Sequence, residues 1–207
     1  MPTSTKAVGD ELDRSLEHLL DTATTAIELA NQSILKTRHL EEVLAGLAVL
    51  AHAEIEGFLE RLFTGLMAGA LIPVNASRVR PLIRAKSYEH ARWIVIGRNT
   101  SNEYATWLPY SNTKAHAERL FRSGRPFTDI SSEATTALHQ LHHVRNALAH
   151  SSDRSLAMFR KHCIGDRPLP SWQLRPAGFL RGPHSGQLTR IEHYLAECRV
   201  GVVCLAD

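Results

Sequence analysis

The chain has 207 residues, 43% of them apolar, and a formal net charge of +3. That is length enough for one sizeable core, and moderate charge without low-complexity runs excludes a disordered protein. No run of about 18 apolar residues occurs, so no membrane span is expected, and three cysteines without CxxC spacing speak against a disulfide framework or a zinc knuckle.

The opening residues lack the basic-then-apolar pattern of a secretory leader, and a cytoplasmic location is expected. Residues 1–60 carry four Lys/Arg against eleven Asp/Glu, whereas residues 61–207 carry twenty against ten. A basic remainder attracts polyanions through counterion release, which makes nucleic acid an expected partner class.

Apolar residues recur at helical spacing along most of the chain. ELDRSLEHLLDTATTAIELANQSIL aligns Leu12, Leu16, Leu19, Ala23, Ala26, Ala30 and Ile34 and predicts a long first helix. HLEEVLAGLAVLAHAEIEGFLERLFTGLMAGAL predicts a longer second one, with an apolar line through Leu40, Val43, Leu47, Leu50, Ala51, Phe58 and Leu62 and an end before Pro73. A short connection near residues 36–39 makes the two antiparallel.

Residues 74–127 are less regular. Short helices are expected after Pro81 and over NTKAHAERLFRSGRPF, the second closed by Gly124 and Pro126. Asp129 and Ser131 are candidate N-caps of the next helix, whose first turn carries Glu133. A further helix over 153–162 is stopped by Gly165 and Pro168. PLPSWQLRPAGFLRGPHSG reads as loop with a short strand around Trp172, and a last helix covers 188–199. The expectation is a single all-α domain over 1–207. Its antiparallel helical bundle has a core within residues 10–165, and an irregular C-terminal extension follows over 166–207.

The stretch TTALHQLHHVRNALAH concentrates the chemistry. At about 100° per residue, Ala134, Ala137, Leu141, Val144 and Leu148 form an apolar stripe with Arg145 at its edge. His139, His143, Asn146 and His150 group on another side, with Asn146 and His150 in the (i, i+4) relation. Arg145 and His150 diverge by about 140° on one straight helix, so they cannot grip one phosphate from there. A joint site needs either a helix break near Ala149 or two copies of the helix packed about a two-fold axis.

These residue types suit one reaction. A histidine titrating near neutrality moves a proton to or from a ribose 2′-hydroxyl or a leaving oxygen. A guanidinium offers a fixed fork to phosphate oxygens, and an adjacent asparagine orients a ring nitrogen. Together they support RNA cleavage without a metal, leaving a cyclic phosphate; no carboxylate cluster at metal-ligand spacing stands nearby. Glu54 falls on the side of Leu47, Leu50 and Phe58, the face expected to be buried, and there it needs a partner such as Arg145. Glu56 falls on the opposite, solvent side.

A helical hairpin bearing LAHAEIEGFLERLF, followed far downstream by VRNALAH, resembles the HEPN superfamily of small all-helical domains. The motif of that family is an arginine, four to six residues, then a histidine, often with a polar residue directly after the arginine; Arg145, Asn146 and His150 match it with four intervening residues. The resemblance covers residues 10–165 in layout and six residues in detail. It implies a homodimeric, metal-independent endoribonuclease with Arg145 and His150 catalytic, Asn146 assisting and Glu54 supporting. It further implies a role as a toxin or phage-defence effector, held in check by an antitoxin protein. Residues 166–207 have no counterpart in it. The alternative is a non-catalytic helical module that binds a protein or nucleotide through the same cleft.

Between Arg78 and Arg98 lie six Lys/Arg and one acid, with Tyr88 and Trp93 among them. Arg78, Arg80, Arg84 and Lys86 are candidate RNA contacts, with the aromatics as stacking surfaces. His139, His142 and His143 could cluster around a transition metal, but with no cysteine or carboxylate beside them they read as a polar helix face. No metal and no cofactor are expected.

Overall fold

A computed structural model describes residues 3–77, 79–97, 105–186 and 188–207. It is all-α: 71% of the chain is helical, in eight helices among the described residues, with only two-stranded β pairings of two or three residues per strand. No helix among the described residues is long and apolar enough to cross a membrane.

Helix α1 covers Thr5–Asn31 and α2 covers Thr37–Ala68. The connection, residues 32–36, turns at Ser33, whose φ is +61°. Parallel pairing of Thr3 with Leu71 and Ser4 with Ile72 ties the chain before α1 to the chain after α2. The Arg61–Glu11 ion pair at 2.8 Å joins the first part of α1 to the last part of α2, as an antiparallel pair requires.

The expected helix after Pro81 starts only at Tyr88. Ser87 caps α3 (Tyr88–Ile96) by accepting from the backbone N–H of His90, and Gly97 ends it at φ +75°. Helix α4 covers Tyr110–Leu120 and α5 covers Ser132–His150; of the two candidate caps for α5 it is Ser131 that accepts from the Ala134 backbone. Helix α6 (Asp153–Phe159) opens with a reciprocal Ser152/Ser155 capping box. It then widens into a π turn over Arg160–Ile164, where regular helix to residue 162 was expected.

The C-terminal stretch is more ordered than its composition suggests. Ser171–Leu174 is a 3-10 turn rather than a strand, α7 covers Pro176–Arg181 with proline in its first turn, and α8 covers Arg190–Val203. Phe179, Leu180, Ile191, Tyr194, Leu195 and Cys198 are buried, so these residues are core and not an extension. A Cβ at Gly178 would lie 1.9 Å from the Trp172 carbonyl oxygen, which only glycine permits.

The chain forms two compact units, neither continuous in sequence. One comprises residues 1–13, 55–135 and 200–207, the other 14–54 and 136–199; α1, α2, α5 and α8 contribute to both. The first unit is centred on aromatics. Phe63 packs against Trp107, Phe121 and Phe127 with ring centroids 4.8–4.9 Å apart, and the Tyr110 hydroxyl donates to the Phe127 carbonyl. The second unit buries Leu16, Leu44, Ala48, Leu141, Val144 and Phe159. Its buried carboxylate, Glu41, is matched by Arg175 at 3.3 Å and Arg181 at 3.5 Å.

Candidate functional site

The apolar stripe of α5 is as its periodicity predicts. Ala134, Ala137, Leu141 and Val144 are buried, which fixes the rotation of the helix and half-exposes Arg145 and Asn146. The helix does not break near Ala149. It runs to His150, which is exposed, and the chain then reverses at Ser151 with φ +45°. Ser152 caps α6 at once, and this tight reversal brings Arg154 beside the end of α5. His142, His143, Asn146 and His150 from α5, with Ser152, Arg154 and Met158, line an open cleft of about 340 Å³. The cleft thus holds two of the three motif residues, Asn146 and His150, while Arg154 is a cation that the motif did not point to.

Arg145 is joined to the cleft through hydrogen bonds. Its Nη1 donates to Asn146 Oδ1 at 3.0 Å, Asn146 Nδ2 lies 2.9 Å from His142 Nε2, and His142 Nδ1 lies 3.1 Å from His52 Nε2. The direction of this chain follows from chemistry. A guanidinium only donates, so the asparagine oxygen must face it and the amide nitrogen must donate onward. His142 Nε2 is therefore an acceptor, its proton sits on Nδ1, and His52 Nε2 accepts in turn.

Burial keeps both rings neutral, as that direction requires. Desolvation first, then the neighbouring ring and Arg145, hold His52 down to about 3. Desolvation, then His139 and Arg145, hold His142 down to about 4. The chain arranges the Arg145 fork but leaves Arg145 Nε buried with no hydrogen-bond partner.

Glu54 is not part of this arrangement. It is exposed, as is Leu50 four residues earlier. Of the expected α2 line, Leu40, Leu47, Ala51, Phe58 and Leu62 are buried, and the buried strip also takes in Leu44, Ala48, Ile55 and Leu59. Over a helix of 32 residues the edge of such a stripe is easily misjudged. His52, 3% exposed, is the polar residue that α2 turns inward. Its spacing from Ala48 and Ile55 is the signal that marks it.

Of the expected polar helix face, His143 is the residue that turns inward. His143 is buried, at 7% exposure, and stacks on His162 of the π turn with ring centroids 4.3 Å apart and planes 7° from parallel. His139 lies against both rings, at 4.7 Å and 5.1 Å. Burial first, then its histidine neighbours, holds His143 down to about 4.

In the other compact unit, Arg80, Arg84 and Lys86 are exposed, and Arg78 lies outside the described residues. Trp93 is 63% exposed and Tyr88 41%, an aromatic surface among cations rather than core.

No family model matches the chain, and neither does any curated protein or solved structure.

Proposed function

We propose that the chain is a metal-independent endoribonuclease of HEPN type, acting in the cytoplasm at the cleft where α5 meets α6. The observation that carries this reading is the gathering of His142, Asn146, His150 and Arg154 around one open cleft, with Arg145 bonded to Asn146 at its edge. In the proposed step, the ribose 2′-oxygen gives its proton to a histidine as it bonds to phosphorus. The bond from phosphorus to the 5′-oxygen breaks, and that oxygen takes up a proton. His150 is the group proposed to move these protons, and the guanidiniums bind and neutralise the phosphate.

The unbroken α5 leaves two-fold association as the way to bring Arg145 and His150 to one phosphate, since about 140° separates them on one helix. Homodimerisation is therefore part of the proposal, and Arg154 is a second cation available from the same chain. The exposed Arg80, Arg84 and Lys86 with Trp93 suit a single-stranded RNA contact. A role as a toxin or defence effector, restrained by an antitoxin protein, belongs to the same proposal.

The test is cleavage of RNA in EDTA by the unaltered chain, by Arg145→Ala and by His150→Ala, with product ends analysed. Products ending in 2′,3′-cyclic phosphate, lost in both variants while each remains folded, would support the reading. Activity indifferent to both substitutions would refute it. A second reading, a non-catalytic binding module, is favoured by one feature: in a single chain, Arg145 already bonds Asn146 while His150 stands exposed. No cleavage together with a retained nucleotide- or protein-binding cleft would select it.

A further inference from the structure

We infer that His139 and His143 of α5, together with His162 of the π turn, form a binding site for a transition-metal ion of the zinc class. The ligand atoms of the three rings all lie within 4.8 Å of one another. His139 and His143 stand one helical turn apart, the spacing that presents two imidazoles on one face of a helix. The third comes from a different segment, so the site would clamp α5 to the chain that leaves α6.

Two independent features mark this as more than three adjacent rings. The first is His143 Nε2, which is buried and has no hydrogen-bond partner although the residue is only 7% exposed. A buried ring nitrogen without a partner costs free energy, and a metal ion is a partner to which an imidazole lone pair can donate. The second is the π turn over Arg160–Ile164. Such widened turns are rare and concentrate at functional sites, because one extra residue re-aims the side chains that follow. Here the turn carries His162 onto the His143 ring.

The donor set decides the class of ion. Three imidazoles with no carboxylate in the cluster suit zinc, cobalt, nickel or copper, and are poor ligands for magnesium or calcium. Bonds of about 2.0–2.1 Å in a tetrahedral arrangement bring ligand nitrogens to about 3.4 Å from one another. Closing from within 4.8 Å takes shifts of about an ångström, and the stacked His143 and His162 rings must also tilt out of parallel to aim their in-plane lone pairs at one ion. His139 and His162, the less buried two, are placed to make them. Three protein ligands leave a fourth position for water. The inference concerns binding alone and stands whether or not the chain cleaves RNA.

The test is titration of the metal-free full chain with Zn²⁺ followed by calorimetry, and with Co²⁺ followed by its visible ligand-field bands. One equivalent of each ion is expected to bind, with cobalt bands of a four-coordinate, nitrogen-rich site. His139→Ala and His162→Ala, which remove the less buried rings, are expected to abolish the bands and weaken zinc binding by at least about tenfold. His184→Ala is the control, since His184 stacks on His193 in a separate pair with centroids 3.6 Å apart; this variant is expected to bind as the unaltered chain does. Helical circular dichroism of each metal-free variant separates loss of a ligand from loss of fold, and should His139→Ala unfold, His139→Gln takes its place. Zinc binding unchanged in His139→Ala and His162→Ala overturns the inference, as does binding lost equally in His184→Ala, or none at micromolar protein.

Discussion

Asn146→Ala removes the centre of the polar chain that links Arg145 to His52. The substitution takes away two hydrogen bonds, from Arg145 at 3.0 Å and to His142 at 2.9 Å. The first involves a charged donor and is worth about 1.5–3 kcal/mol, the second about 1 kcal/mol when both partners are neutral. Asn146 is half-buried, so water recovers part of this and the lower end of the range applies. The expected loss is about 2–3 kcal/mol, equivalent to a fall in Tm of about 5–10 °C for a chain of this size. Urea unfolding followed by circular dichroism, in EDTA, measures the first quantity, and differential scanning calorimetry the second. A paired measurement tests the direction of the chain itself. Nitrogen-15 NMR of the unaltered protein should find the His142 proton on Nδ1, and Asn146→Asp, which places an acceptor against Nε2, should move it there. A loss below about 0.5 kcal/mol, within the noise of surface changes, or a His142 proton already on Nε2, would refute the reasoning.

Acid should destabilise the second unit. His52 and His142, held at about 3 and about 4 in the fold, return to about 6.5 when unfolded, so the unfolded chain binds more protons between those limits. Stability is therefore intact above about pH 6.5 and falls as pH drops towards about 4; a flat unfolding free energy across that window would contradict this. Phe63→Ala should cost about 3–5 kcal/mol by opening a cavity among Trp107, Phe121 and Phe127, and equilibrium unfolding that shows under 1 kcal/mol, below what core truncations cost, would mean the cluster collapses to fill it. Trp93→Ala should leave stability unchanged, given its 63% exposure, yet weaken single-stranded RNA binding by about 1–3 kcal/mol in fluorescence anisotropy. Equal affinity would remove Trp93 from any RNA surface.

Periodicity made the helices legible where one face is buried and little interrupts the count. The α5 stripe through Ala134, Ala137, Leu141 and Val144 is such a case, and so is the N-cap at Ser131. In α2 the same logic found Leu40, Leu47, Ala51, Phe58 and Leu62 but placed Leu50 and Glu54 inward and passed over His52, because over 32 residues the edge of a stripe is easily misjudged. The π turn was beyond such reading, since it breaks the 3.6-residue count that would have aligned His162 with α5. Proline and glycine obscured α7, though Pro176 in its first turn is a helix-start signal in its own right. Arg154 joins the cleft through a chain reversal at Ser151, a geometry that no spacing rule encodes.

The one-way hydrogen bonding from Arg145 to His52 alters what a lost function would mean. Removing Arg145 takes a cation from the cleft's edge and also frees Asn146 to turn over, with the two rings beyond it exchanging tautomers in sequence. An inactive Arg145→Ala therefore conflates a missing phosphate ligand with a proton relocated three groups away. Arg145→Lys separates them, because an ammonium also only donates and preserves the order of the chain, while it surrenders the planar fork. The conservative replacement is thus the more informative one, and the side chain to follow when it is made is that of His52.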